Sequence, residues 1–104
     1  MTQQTATGGC TAGLDVTSLT KSAPASAYGT FHNFTAGYTC YAWLERSTNG
    51  GSSWYEVSGT HTLTDPGYTT SDSTGHYYDG PGYLARACFK YSWSTAATHC
   101  TTSW

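Results

Sequence analysis

The chain has 104 residues and a formal charge of −2, and its four cations, Lys21, Arg46, Arg86 and Lys90, are too scattered to neutralise phosphates, which excludes nucleic acid as a partner. No stretch approaches the roughly 18 apolar residues that a membrane helix needs, so no membrane insertion is expected. Five Leu, two Val and no Ile stand against sixteen aromatic residues, which predicts one small domain with an aromatic core in place of an aliphatic one.

Residues 1–9 show no apolar periodicity and read as a flexible N-terminal arm, with residues 10–104 forming a single domain. Leu14 and Val16 alternate with polar residues and mark a first short strand, which the segment Ser22-Ala23-Pro24-Ala25-Ser26 ends. A second strand is expected over Ala27 to His32. The strongest signal runs from Tyr38 to Arg46, where Tyr38, Cys40, Ala42 and Leu44 share one face and Thr39, Tyr41, Trp43 and Glu45 the other. Two apolar-rich faces predict burial on both sides, or burial on one and a partner on the other. Further strands are expected at Trp54 to Ser58, Thr60 to Thr64 and Tyr68 to Thr70, followed by a break over Ser71-Asp72-Ser73-Thr74-Gly75. The turn Asp79-Gly80-Pro81-Gly82 precedes a strand from Tyr83 to Tyr91, and Ala97 to Trp104 closes the chain. Helical periodicity is absent over even ten residues. Short strands at this spacing predict an all-β fold, a small disulfide-stapled, immunoglobulin-like β-sandwich.

Cys10, Cys40, Cys88 and Cys100 have no C-x-x-C or zinc-type spacing and read as two disulfides of a secreted protein. The polar stretch after Met1 lacks a charged and then apolar leader, which fits a mature form whose signal peptide has been replaced by a start codon. If Trp93-Ser94-Thr95 make a three-residue loop, position i of the last hairpin faces 188 − i, and Cys88 faces Cys100 within bonding reach. That register favours Cys10–Cys40 with Cys88–Cys100. The alternative is an immunoglobulin pin, Cys40–Cys88, weakened because Arg86 stands where such domains carry a Tyr. Asn33-Phe34-Thr35 is a glycosylation sequon only in a eukaryotic source.

Ser47-Thr48-Asn49-Gly50-Gly51-Ser52-Ser53-Trp54 resembles the Asp-box of sialidases and other secreted β-proteins, with Asn49 in the Asp place and Ser53 in the Thr place. The resemblance implies a hairpin in which an Asx side chain bonds turn amides above a packed Trp.

Catalytic constellations are thin. His32, His61, His76 and His99 are dispersed, so neither metal nor cofactor is expected. The two Glu residues, Glu45 and Glu56, fall on adjacent strands of one hairpin. A carboxylate pair can hydrolyse glycosides, yet both fit solvated strand positions near Arg46, and no enzyme is expected. Partner binding is assigned instead to Tyr77, Tyr78 and Tyr83 around the rigid turn, and to Gln3 and Gln4 in the arm, because Tyr gives large contact area at little entropic cost. The expected partners are other secreted proteins rather than small molecules.

The run Gly82-Tyr83-Leu84-Ala85-Arg86-Ala87-Cys88-Phe89, followed by Thr98-His99-Cys100 and Trp104, resembles small secreted proteins of Streptomyces, above all the adaptor subunit of umbrella toxin particles. That resemblance implies bridging between protein subunits of a toxin complex, with the arm before Cys10 as a docking segment. Tyr83-Leu84-Ala85-Arg86 is also similar to the C-terminal segment of Streptomyces amylase inhibitors, but their Trp-Arg-Tyr tripeptide is missing and that activity is not carried over. A small secreted enzyme inhibitor or antibacterial effector is the alternative function.

Overall fold

The computed structural model describes residues 2–7, 9–17, 25–34, 37, 39–64, 67, 69–91 and 98–104, with the main chain alone for residues 2–7 and 91. Among them are ten strands and no helix: β1 (Thr2–Thr7), β2 (Cys10–Val16), β3 (Ser26–Asn33), β4 (Thr39–Ser47), β5 (Tyr55–Glu56), β6 (His61–Thr64), β7 (Thr70–Ser73), β8 (Tyr77–Tyr78), β9 (Leu84–Tyr91) and β10 (His99–Cys100). They form two antiparallel five-stranded sheets. The first runs β1-β2-β3-β7, with β8 also beside β3, and the second runs β10-β9-β4-β5, with β6 also beside β4.

The period of 2 decides which side chains face the other sheet. Ala12 and Leu14 of β2, Ala27 and Phe31 of β3, Ala42 and Leu44 of β4, Leu63 of β6, and Ala85, Ala87 and Phe89 of β9 form one buried cluster with Cys10 and Cys40. The face of β4 that carries Cys40, Ala42 and Leu44 is the inward one, a choice that the sequence leaves open, and Trp43 on the other face is buried as well. The composition predicts an aromatic core, but alanine lines much of the interface, and Phe31 and Phe89 fill the remaining space. Among the described residues no tyrosine is fully buried, since a buried phenol needs a hydrogen-bond partner, whereas alanine lets the two sheets approach. Gly29 serves the same packing, since a Cβ there would overlap the ring of Phe31.

The staples follow the predicted pairing. Cys10–Cys40 joins β2 of the first sheet to β4 of the second, with a Cα separation of 6.7 Å. Cys88–Cys100 links directly facing residues of β9 and β10, 4.1 Å apart at Cα, in the register i + j = 188. The Cys40–Cys88 pin is thereby excluded: both residues lie in the second sheet, where Cys88 faces Trp43. After β10 the chain stays on β9. Thr101 N–H donates to Ala87 O at 2.8 Å, while Trp104 and Ala85 exchange two bonds, a register one residue longer that implies a bulge at Thr102-Ser103. The expected loop Trp93-Ser94-Thr95 lies outside the described residues, as does the break over residues 22–24.

Two expectations are corrected. Residues 2–7 are not an arm without structure. They pair with β2 over six positions, from Thr2 facing Asp15 to Thr7 facing Cys10. An edge strand needs only main-chain hydrogen bonds and β-compatible side chains, so apolar alternation is no requirement. Likewise Ser71-Asp72-Ser73, expected as a break, belongs to β7 and pairs in turn with His32, Phe31 and Thr30 of β3; it is exposed, which removes the apolar pattern.

Candidate functional site

The end of β4 organises the surface. Beyond it the turn predicted at Ser47 to Trp54 closes on its own side chains: Asn49 Oδ1 accepts from Ser53 N–H at 3.0 Å, and Ser47 Oγ accepts from Gly51 N–H at 2.9 Å. Gly50 and Gly51 supply positive φ of 73° and 93°, conformations that side chains disfavour. The turn fixes the start of β5, so that Tyr55 faces Arg46 and Glu56 faces Glu45.

Arg46 continues the inward row of Cys40, Ala42 and Leu44, but it stands where the two sheets open. Its Nε–H donates to the Tyr55 hydroxyl at 2.9 Å, and Nη1–H donates to the Tyr78 carbonyl, on β8 of the opposite sheet, at 3.1 Å. The guanidinium carbon lies 5.2 Å from the centroid of Tyr83 and 5.6 Å from that of Tyr55, within cation–π range. Tyr78 and Tyr83 meet edge to face with centroids 4.9 Å apart. Tyr55 and Tyr78 remain 43% and 40% exposed, which makes this an open aromatic surface around a cation. Gly80 lies beneath it, and a Cβ there would overlap the Tyr78 ring.

On the outward face of the second sheet the other arginine is closed in. Arg86 donates from Nε to Glu45 Oε1 at 2.8 Å, and its Nη2 lies at the same distance from that oxygen. Trp43 Nε1–H donates to Glu45 Oε2 at 2.8 Å, and the Arg86 guanidinium lies over Trp54 at 4.1 Å. Glu45, Cys88 and Cys100 have the only metal-like spacing among the described residues, with ligand atoms within 4.8 Å of one another. The sulfurs are bonded to each other and both Glu45 oxygens are occupied, so this cluster is structural. Glu56 is exposed and accepts from the Thr60 hydroxyl.

An open recess of about 400 Å³ lies over the paired strands β3 and β7, lined by Thr30, His32, Ser71, Asp72 and Ser73. His61 of β6 donates from Nδ1 to Asp72 Oδ2 at 2.8 Å, connecting the two sheets. That hydrogen bond holds the Asp72 carboxyl below its usual range, against a smaller opposing effect of burial. The other histidines pair with rings: His76 stacks on Tyr28, His32 on Phe34, and His99 tilts over Phe89.

The predicted binding residues therefore divide. Tyr78 and Tyr83 come together, while Tyr77, one residue before Tyr78, turns inward and packs against the core. Gln3 and Gln4 lie in β1, facing Leu14 and Gly13, with β2 and β3 between them and β8. Sequence reasoning missed Arg46 and Tyr55. The legible signal was parity: a cation on the inward row of a strand must find partners on the opposing sheet. Asn33, offered as a sequon, is fully buried and donates to the Leu63 carbonyl, which leaves no room for a glycan.

No protein-family description matches this chain, and neither does any curated protein or solved structure.

Proposed function

We propose that the protein is a secreted, non-enzymatic binding module with an immunoglobulin-like fold, acting as an adaptor that joins protein subunits of a secreted bacterial toxin complex. The carrying observation is the tyrosine surface: Tyr55 and Tyr78 are exposed yet held around Arg46 by hydrogen bonds and ring contacts. Aromatic residues already fixed in place lose little entropy on binding, which is why they dominate interface energetics. The fold reading is supported by strand order, since β3 pairs with β2 and β7/β8 in one sheet while β4 and β9 pair at the centre of the other. Secretion is supported by two closed disulfides and the absence of a free cysteine. The adaptor role comes from the sequence resemblance.

The test is affinity purification of the tagged protein from its own culture supernatant, with Tyr55→Ala/Tyr78→Ala in parallel. A subunit retained by the native protein and lost by the double variant, at unchanged melting temperature, is the expected result. Equal retention by both proteins removes the tyrosine surface from the function.

A further inference from the structure

We infer that the Arg46 cluster is the seat of an acidic side chain of the partner protein, an exposed Asp or Glu on a segment with apolar neighbours. This rests on the protein-binding reading and assigns the partner's chemistry. A guanidinium has five N–H donors, and here two go to neutral oxygens, the Tyr55 hydroxyl and the Tyr78 carbonyl. No carboxylate lies within ion-pair distance of Arg46 among the described residues, whereas Arg86 is neutralised by Glu45. Arg46 therefore keeps its charge and three donors for a ligand, in the fork geometry that suits a carboxylate.

Charge also selects among anions. A phosphoryl group carries nearly two negative charges and is usually met by clustered arginines. The cluster here contains one cation, matched by one carboxylate. The surrounding Tyr55, Tyr78 and Tyr83 add ring surface and neutral phenol donors but no second cation, so apolar residues beside the acid gain from contact with the rings. Holding the guanidinium against β8 settles in advance much of the rotamer entropy that a free arginine loses on binding.

The experiment titrates the isotope-labelled full chain with a capped peptide bearing one glutamate between two leucines, and with its glutamine counterpart, while the Arg46 Nε–H and tyrosine ring resonances are followed. The glutamate peptide is expected to bind about fivefold more tightly, the upper range for one solvent-accessible ion pair. That preference should shrink at high salt and vanish in Arg46→Gln. Equal binding of the two peptides by the native chain, which needs no variant, overturns the acidic seat, as does a preference unchanged in Arg46→Gln. Either result leaves the binding-module reading standing, because that reading fails only in the double-tyrosine purification.

Discussion

Arg46 and Arg86 sit on neighbouring strands of one sheet, and their surroundings differ in kind. Arg86 has Glu45 directly across the ladder, a tryptophan beneath it and a disulfide beside it on the same face. Arg46 has Ala85 across the ladder, and among the described residues everything else that holds it is tyrosine or main chain. The two lie on opposite faces because their registers differ by one step, and a strand reverses its side chains at each step. An ion pair satisfied within the fold contributes to stability and has little left to offer a partner. Arg46, with no carboxylate in ion-pair distance among the described residues, is the cation that the proposed recognition uses.

The closed region should therefore respond in stability and the open one in binding. The largest effect is expected from Cys88→Ser/Cys100→Ser, because a staple closing a 12-residue separation is worth about 3 kcal/mol in the chain-entropy account. Urea unfolding measures it. A loss below about 1 kcal/mol would mean that the β9–β10 ladder and the bonds of Thr101 and Trp104 already hold the last strand.

Next comes Glu45→Ala, which strips Arg86 and the Trp43 indole of their acceptor at once. Side-chain exposures of 15% for Glu45 and 29% for Arg86 place this pair between the buried and surface limits, so about 1 to 2 kcal/mol is expected. Arg46→Gln should cost less than about 1 kcal/mol, since the Tyr55 hydroxyl and the Tyr78 carbonyl left behind lie in exposed residues that water can reach. The comparison breaks if thermal melts rank these two variants in the reverse order. A sharper version is Gly80→Ala. Gly80 does not have positive φ, so alanine fits the backbone, and the overlap falls on an exposed ring that can move aside. Stability should change by no more than about 0.5 kcal/mol, while the displaced Tyr78 weakens partner binding.

What the sequence disclosed follows the same division. Strands with one buried face, β2, β4 and β9, show alternation, and the last hairpin's register can be counted from Cys88 and Cys100. β1 and β7 were illegible because uncharged or polar edge strands need no apolar pattern. Tyr78 and Tyr83 stood out as members of a cluster around a turn. Their centre did not, since Arg46 and Tyr55 join them only when Tyr78 of the first sheet is brought opposite β4 of the second, a juxtaposition of residues 32 positions apart.

The smallest expected effect belongs to the charge pair that lies between these extremes. His61 and Asp72 join the two sheets as the Glu45 cluster does not, yet the Asp72 side chain is 50% exposed, so water screens the pair. The carboxyl is held below its usual range chiefly by the His61 hydrogen bond. A group whose folded pKa is depressed adds stability that is present above its unfolded value, about 3.9, and is lost as pH falls through the lower folded value. Asp72→Asn should therefore lower stability at pH 7 by only about 0.3 kcal/mol, the low end for an exposed pair, and the difference between native protein and variant should close in the acid range below about pH 4. Urea midpoints at pH 7, 5 and 3 measure that difference. A gap that widens between about pH 5 and pH 3, where the carboxyl takes up its proton, would mean that folding favours the protonated carboxyl, which would remove the inter-sheet pair from the forces that hold this edge of the fold and leave the Cys10–Cys40 staple and the shared core to do so alone.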